Sequence, residues 1–143
     1  MGSAAPRPAL EAVAPPTLAF PYDRCSTLAT GDLDERLARC RWYAVEQGWV
    51  IAGEWVDRAD YALSNWPRPQ WDGLVYAMRQ AAVRAVCLVD SWDRISRDQA
   101  ASTILRLAVH QAGGYCVTTA GEDDVDLGHA RILAEPLSLR GGA

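Results

Sequence analysis

The sequence predicts an α/β domain: a three-layer, doubly wound, mostly parallel sheet of four to five strands with helices on both faces. Three observations carry this expectation. Strand-like and helix-like segments alternate as β-α-β-α-β-α-β between residues 17 and 119. The run Ala85-Val86-Cys87-Leu88-Val89 has no polar alternation, which suits a strand buried on both faces of a parallel sheet. The helix-like segments keep their apolar residues on one face, and two of them stop at glycine.

The elements follow in order. Residues 1–16 hold four prolines and many alanines, with no period that buries a face, so they are expected to form a loose arm. Residues 17–22 form a first strand, with Pro21 near its end. Leu33, Leu37, Cys40, Ala44 and Val45 recur at helical spacing, so a helix is expected over 33–47, stopped by Gly48. Val50 to Val56 gives the second strand, and Asp57 to Pro69 a long irregular stretch of the kind that often carries function. Trp71, Leu74, Val75 and Met78 share one face of a helix over 70–82. A strand over 84–90 leads to a helix over 98–111, capped by Ser96 or Asp98 and ended by Gly113-Gly114. Residues 115–119 form the last strand. The domain is expected over 17–122, with a short tail over 123–143 that has neither a long helix nor a DNA-binding module.

Composition narrows the classes. A chain of 143 residues fits one domain with a real core. Its formal net charge of −4 argues against a broad autonomous DNA-binding surface, but not against a local basic cluster. Cys25, Cys40, Cys87 and Cys116 make no CxxC pair, and His110 and His129 lie far from them, so no metal site is expected. Cys87 and Cys116 fit the core, and His110 is expected to be exposed at a helix end. No secretory signal or membrane-length apolar run is present, which suits a reduced, cytoplasmic protein.

Open α/β sheets bind ligands beyond the carboxyl ends of their strands. There the sequence places Asp23, Arg24, Cys25, Ser26 and Thr27, then Asp57, Arg58, Asp60 and Arg68, then Asp90, Ser91, Asp93, Arg94 and Arg97. Arginine suits phosphate because its planar fork donates two hydrogen bonds at once. Several arginines around a serine point to phosphoryl chemistry, with Ser26 as nucleophile. No histidine is placed as a base, and GxGxxG and GxxxxGK[ST] are absent. A C-x5-R pattern at Cys25 fails at Gly31. The same residues also fit a solvated network of Arg94, Arg97, Asp93 and Asp98, with Ser26 and Thr27 capping a turn. Trp66 and Trp71 are candidates for stacking on a base or a partner; Trp71, at helical spacing, fits the core better.

Tyr22-Asp23-Arg24-Cys25-Ser26-Thr27 resembles the Y-x-R-x-S-T motif of the catalytic domain of serine recombinases, the resolvase/invertase family. Trp92-Asp93-Arg94-Ile95-Ser96-Arg97 resembles that family's L-D-R-L-x-R motif, and Arg68-Pro69 its R-P. Cys40, Gly48-Trp49 and Asp57 fall at the family's spacing, and the resemblance covers roughly 17–122. It implies DNA strand transfer without metal or cofactor. Ser26 would form a 5′-phosphoserine; Arg24, Arg68, Arg94 and Arg97 would clamp the phosphate; Asp93 would orient arginines or assist the leaving oxygen; Asp57 would support them. The implied partners are DNA, bound weakly by this domain alone, and a second copy or partner recombinase; no membrane is implied. Two departures stand out: Arg36 replaces the family's usual glutamine, and Asp57-Arg58-Ala59-Asp60-Tyr61 replaces D-x-x-S-G. The alternative is a recombinase-like interaction or regulatory module that no longer recombines DNA.

Overall fold

The first strand shows how the sheet is built. In the computed structural model, which describes residues 14–27 and 30–127, β1 spans Leu18–Cys25 and runs past Pro21. The neighbouring chain explains why Pro21 does not end it. The segment expected as one strand over 50–56 is two, β2 (Val50–Ile51) and β3 (Trp55–Arg58), both parallel to β1. β2 pairs Ala19 with Ile51, and β3 pairs Tyr22 with Trp55, so the register slips by one residue between them. That slip is a bulge. Pro21, with no amide hydrogen to donate, sits opposite this interruption and costs the ladder little on that side.

The remaining elements are α1 (Gly31–Gln47), α2 (Asp60–Leu63), α3 (Pro69–Gln80), β4 (Ala85–Val89), a 3-10 turn (Trp92–Arg94), α4 (Gln99–Gln111) and β5 (Tyr115–Thr118). The stretch expected to be irregular over 57–69 therefore holds the end of β3, the single turn α2 and the start of α3. All strand pairs are parallel, in the order β2-β1-β4-β5 with β3 extending β2 along β1. The chain first moves to one side of β1 and then crosses to the other. Right-handed crossovers must then place α1 on one face and α3 and α4 on the other.

The buried side chains divide accordingly. Ala19, Val86, Leu88 and Val117 pack on Cys40 and Ala44 of α1. Phe20, Tyr22, Cys87, Val89 and Cys116 pack on Trp71, Leu74, Met78, Leu105 and Val109 of α3 and α4. Trp71 meets the Tyr22 ring edge-on at 4.8 Å, so it is core. Gly48 ends α1 in the left-handed conformation at φ 75°, where the absence of Cβ removes the steric cost. Asp98 caps α4 by accepting from the Ala101 amide, while Ser96 Oγ accepts from the Asp98 amide.

Of the expected arm over 1–16, residues 1–13 lie outside the described residues; of the expected tail over 123–143, residues 128–143, including His129, lie outside them. Asp123 bridges Val117 in antiparallel fashion. Asp124 is buried and accepts from the Cys116 amide at 2.7 Å. His110 is not the exposed residue its helix-end position suggested. Its ring lies 2.9 Å from Asp124, which also faces Arg106 at 3.6 Å. A buried carboxylate needs such partners, and α4 supplies them. Among the described residues no helix is long and apolar enough to cross a membrane, and no three His, Cys, Asp or Glu side chains gather as metal ligands would.

Candidate functional site

The strand order reverses at β1, whose neighbours β3 and β4 are reached by crossovers on opposite faces. A crevice must open beyond the carboxyl ends of strands flanking such a point. One does, with a volume of about 500 Å³. Arg24, Cys25, Ser26 and Thr27 enter it from the end of β1, Asp32 and Arg36 from α1, Ala62, Leu63 and Asn65 from α2 and beyond, and Arg94, Ser96, Arg97 and Asp98 from the segment after β4. Ser26 and Arg97 are exposed.

Four guanidinium groups thus line one cleft in a chain of net charge −4. Arg24 lies on the α3–α4 side of β1. Its Nε and Nη2 donate to the Asp93 carbonyl at 2.9 and 2.7 Å, and its Nη1 to the Ala62 carbonyl at 3.1 Å. Burial, followed by the fields of Arg68, Arg94 and Arg97, pushes the Arg24 pKa below its ordinary value. Arg94 Nη1 donates to the Arg24 carbonyl at 3.1 Å and lies 3.7 Å from Asp23. Arg36 makes a two-pronged contact with Asp23 at 2.8 and 2.9 Å, and this hydrogen bonding raises its pKa. A concentration of cations held by carbonyls and one buried acid is a ready site for a phosphate group.

The family model for the resolvase N-terminal domain matches residues 19–138. The chain belongs to this family. Among curated proteins none matches. Among solved structures, the chain is similar to the C-terminal catalytic domain of ISC1926 TnpA, an IS607-like serine recombinase, with TM-score 0.61, 19% identity, and coverage of 87% of this chain and 84% of that one. It is equally similar to the N-terminal catalytic domain of TP901-1 integrase, with TM-score 0.61, 19% identity, and coverage of 87% and 95%. A resolvase family site-specific recombinase from Streptococcus pneumoniae matches with TM-score 0.62, 18% identity, and coverage of 87% and 91%. At these identities the likeness shows the fold: the mostly parallel sheet of a resolvase catalytic domain.

Within this resolvase-family fold, the residues expected at the site separate into two groups. Ser26, Arg24, Arg94 and Arg97 line the cleft. Arg68, Asp57 and Asp93 are not among the lining residues. Arg68 is 2% exposed. Its Nε donates to the Ser64 carbonyl at 2.6 Å, and its Nη1 to the Ile95 carbonyl and, at 3.2 Å, to the Tyr22 hydroxyl. These bonds tie α3 to Ser64, Ile95 and Tyr22; of its donor atoms only the buried Nη2 lacks a protein partner. Asp57 accepts from the amides of Gln70 and Trp71 at 2.9 and 3.1 Å, capping α3 from a distance, and from the Tyr22 hydroxyl at 2.7 Å. Burial, with that bond to Asp57, drives the Tyr22 pKa upward. Asp93 acts on Arg24 through its carbonyl, and its side chain is exposed.

Reasoning from sequence placed Asp23 at the end of the first strand but gave it no role, and noted Arg36 only as a departure. A signal for the pair was available. Asp23 shares parity along β1 with the apolar Ala19, Pro21 and Cys25, which face α1. An acid on that buried face requires a cation on the covering helix, and Arg36 lies between the buried Leu33 and Leu37.

Proposed function

We propose that this domain cleaves and rejoins DNA strands, with Ser26 as nucleophile. The observation that carries the reading is that Ser26, Arg24, Arg94 and Arg97 share one cleft at the sheet's switch point. In the step envisaged, the Ser26 Oγ–P bond forms as the P–O3′ bond breaks. The 3′ oxygen takes up a proton, Ser26 gives one up, and a 5′-phosphoserine results. One phosphodiester replaces another, so the step is reversible and needs no energy source. Among the described residues no histidine lines the cleft; the arginines stabilise the serine alkoxide and the extra charge on the pentavalent phosphorus. DNA is then the partner, held weakly by this acidic chain alone, and a second copy or partner recombinase supplies the other cut strand.

A second reading, a recombinase-like interaction module, is favoured by one observation: Arg24 spends its donors on the Asp93 and Ala62 carbonyls. One assay separates the two. The protein is incubated with supercoiled DNA and quenched with denaturant, and DNA 5′ ends are probed for attached protein. The catalytic reading expects an adduct that Ser26→Ala abolishes and Arg94→Ala nearly abolishes. A folded sample that gives no adduct at high protein concentration supports the module instead.

A further inference from the structure

A carboxylate buried among phosphate-binding arginines is an unfavourable choice unless it has a task. Asp23 is 1% exposed and lies directly behind the cleft. Both oxygens are occupied on the Arg36 side: Oδ2 by Nε at 2.8 Å and Oδ1 by Nη2 at 2.9 Å. The same Oδ1 lies 3.7 Å from Arg94 Nη1, a long contact, while that Nη1 has a better partner in the Arg24 carbonyl at 3.1 Å. Arg36 and Arg94 thus compete for one carboxylate, and Arg36 holds it.

We propose that Arg36 is a positioning residue for the anion site: by saturating Asp23 it keeps Arg94 presented to a DNA phosphate in the cleft. This deepens the function proposed above by naming what holds one of its arginines in place. The geometry has a direct consequence. Without Arg36, Asp23 is a buried charge with one cation in reach, and a buried carboxylate takes the partner it has. Arg94 then closes the 3.7 Å gap and is withdrawn from the cleft. Asp23 and Arg36 form one charge-neutral unit, so removing both restores the balance that removing one destroys.

The test measures binding of a short DNA duplex to the full chain across a salt series, for wild type, Arg36→Gln, Asp23→Asn and the double variant, all carrying Ser26→Ala so that no covalent step intervenes. The logarithm of affinity falls against the logarithm of salt with a slope of about 0.9 per neutralised phosphate. Arg36→Gln is expected to weaken binding about tenfold, the worth of one charge-assisted hydrogen bond, and to flatten the slope by about 0.9. The double variant recovers most of both. If Arg36→Gln does not fold, Asp23→Asn decides alone. It frees both arginines, so it binds more tightly and with a steeper slope.

An unchanged slope in Arg36→Gln, a double variant as weak as Arg36→Gln, weaker binding by Asp23→Asn, or no duplex binding by the Ser26→Ala parent would each overturn the proposal. The reading of Ser26 as nucleophile is judged separately by the covalent adduct. An adduct without the Arg36 effect refutes only the positioning role. An Arg36 effect without an adduct refutes only the catalysis.

Discussion

Replacing Arg68 by methionine removes a cation of similar length from the most enclosed part of the polar network. The Ser64 and Ile95 carbonyls each lose a charged donor, and the Tyr22 hydroxyl loses one of its two contacts. Hydrogen bonds to charged groups contribute roughly 1.5–3 kcal/mol each, and breaking a buried charged network by removing one partner costs about 3–5 kcal/mol. The expected loss is therefore about 4 kcal/mol, a large share of the ~5–15 kcal/mol that a domain has in all. Urea unfolding followed by tryptophan fluorescence measures it, because Trp71 packs on Tyr22 beside this network. Arg97→Ala is the control: an exposed side chain in the cleft should change stability by no more than about 0.5 kcal/mol while weakening DNA binding. A loss under about 1 kcal/mol for Arg68→Met, with DNA binding reduced as in Arg97→Ala, would refute the assignment of Arg68 as a brace and return it to the phosphate.

Two further outcomes test the fold around the site. A Cβ at Gly114 would stand 2.4 Å from Met78 Cε and 2.6 Å from the Ala85 carbonyl, so Gly114→Ala should destabilise by about 1–3 kcal/mol in the same unfolding assay. Asp90 receives two hydrogen bonds from Arg39 and one from Thr119, and the Arg39 bonds hold its carboxyl below the ordinary range. A depressed folded pKa stabilises fully above the unfolded value near ~4, and that share is lost as pH falls through the folded value. The stability difference between wild type and Asp90→Asn should accordingly stay constant above about pH 5 and shrink below about pH 4; a difference independent of pH down to the acid transition would contradict the pairing.

Much of the site's raw material was legible in the sequence because it depends on chain order alone. Alternating segments specify a parallel sheet, and a parallel sheet sends every strand's carboxyl end to one edge. Ser26, Arg24, Arg94 and Arg97 come together at the cleft for that reason. The buried residues were also legible, since Trp71 stands at helical spacing and Cys87 and Cys116 lie inside apolar runs. The bulge between β2 and β3 was not, because a run such as Val50 to Val56 carries no mark of the one-residue slip that appears only against β1.

Which arginines line the cleft was decided by the tertiary structure. Arg68 and Arg97 are the same residue type, and both lie near strand ends. The first is enclosed, with the Ser64 and Ile95 carbonyls accepting from it; the second is exposed at the cleft. The same holds for the acids. Asp57 caps α3, Asp124 pairs with His110 and Arg106, and Asp23 takes Arg36, each through partners distant in sequence. Local pattern fixes which face of an element is apolar, because periodicity is a property of the element itself. A buried charge is governed instead by whichever partner the other elements bring to it, and that is known only once they have packed.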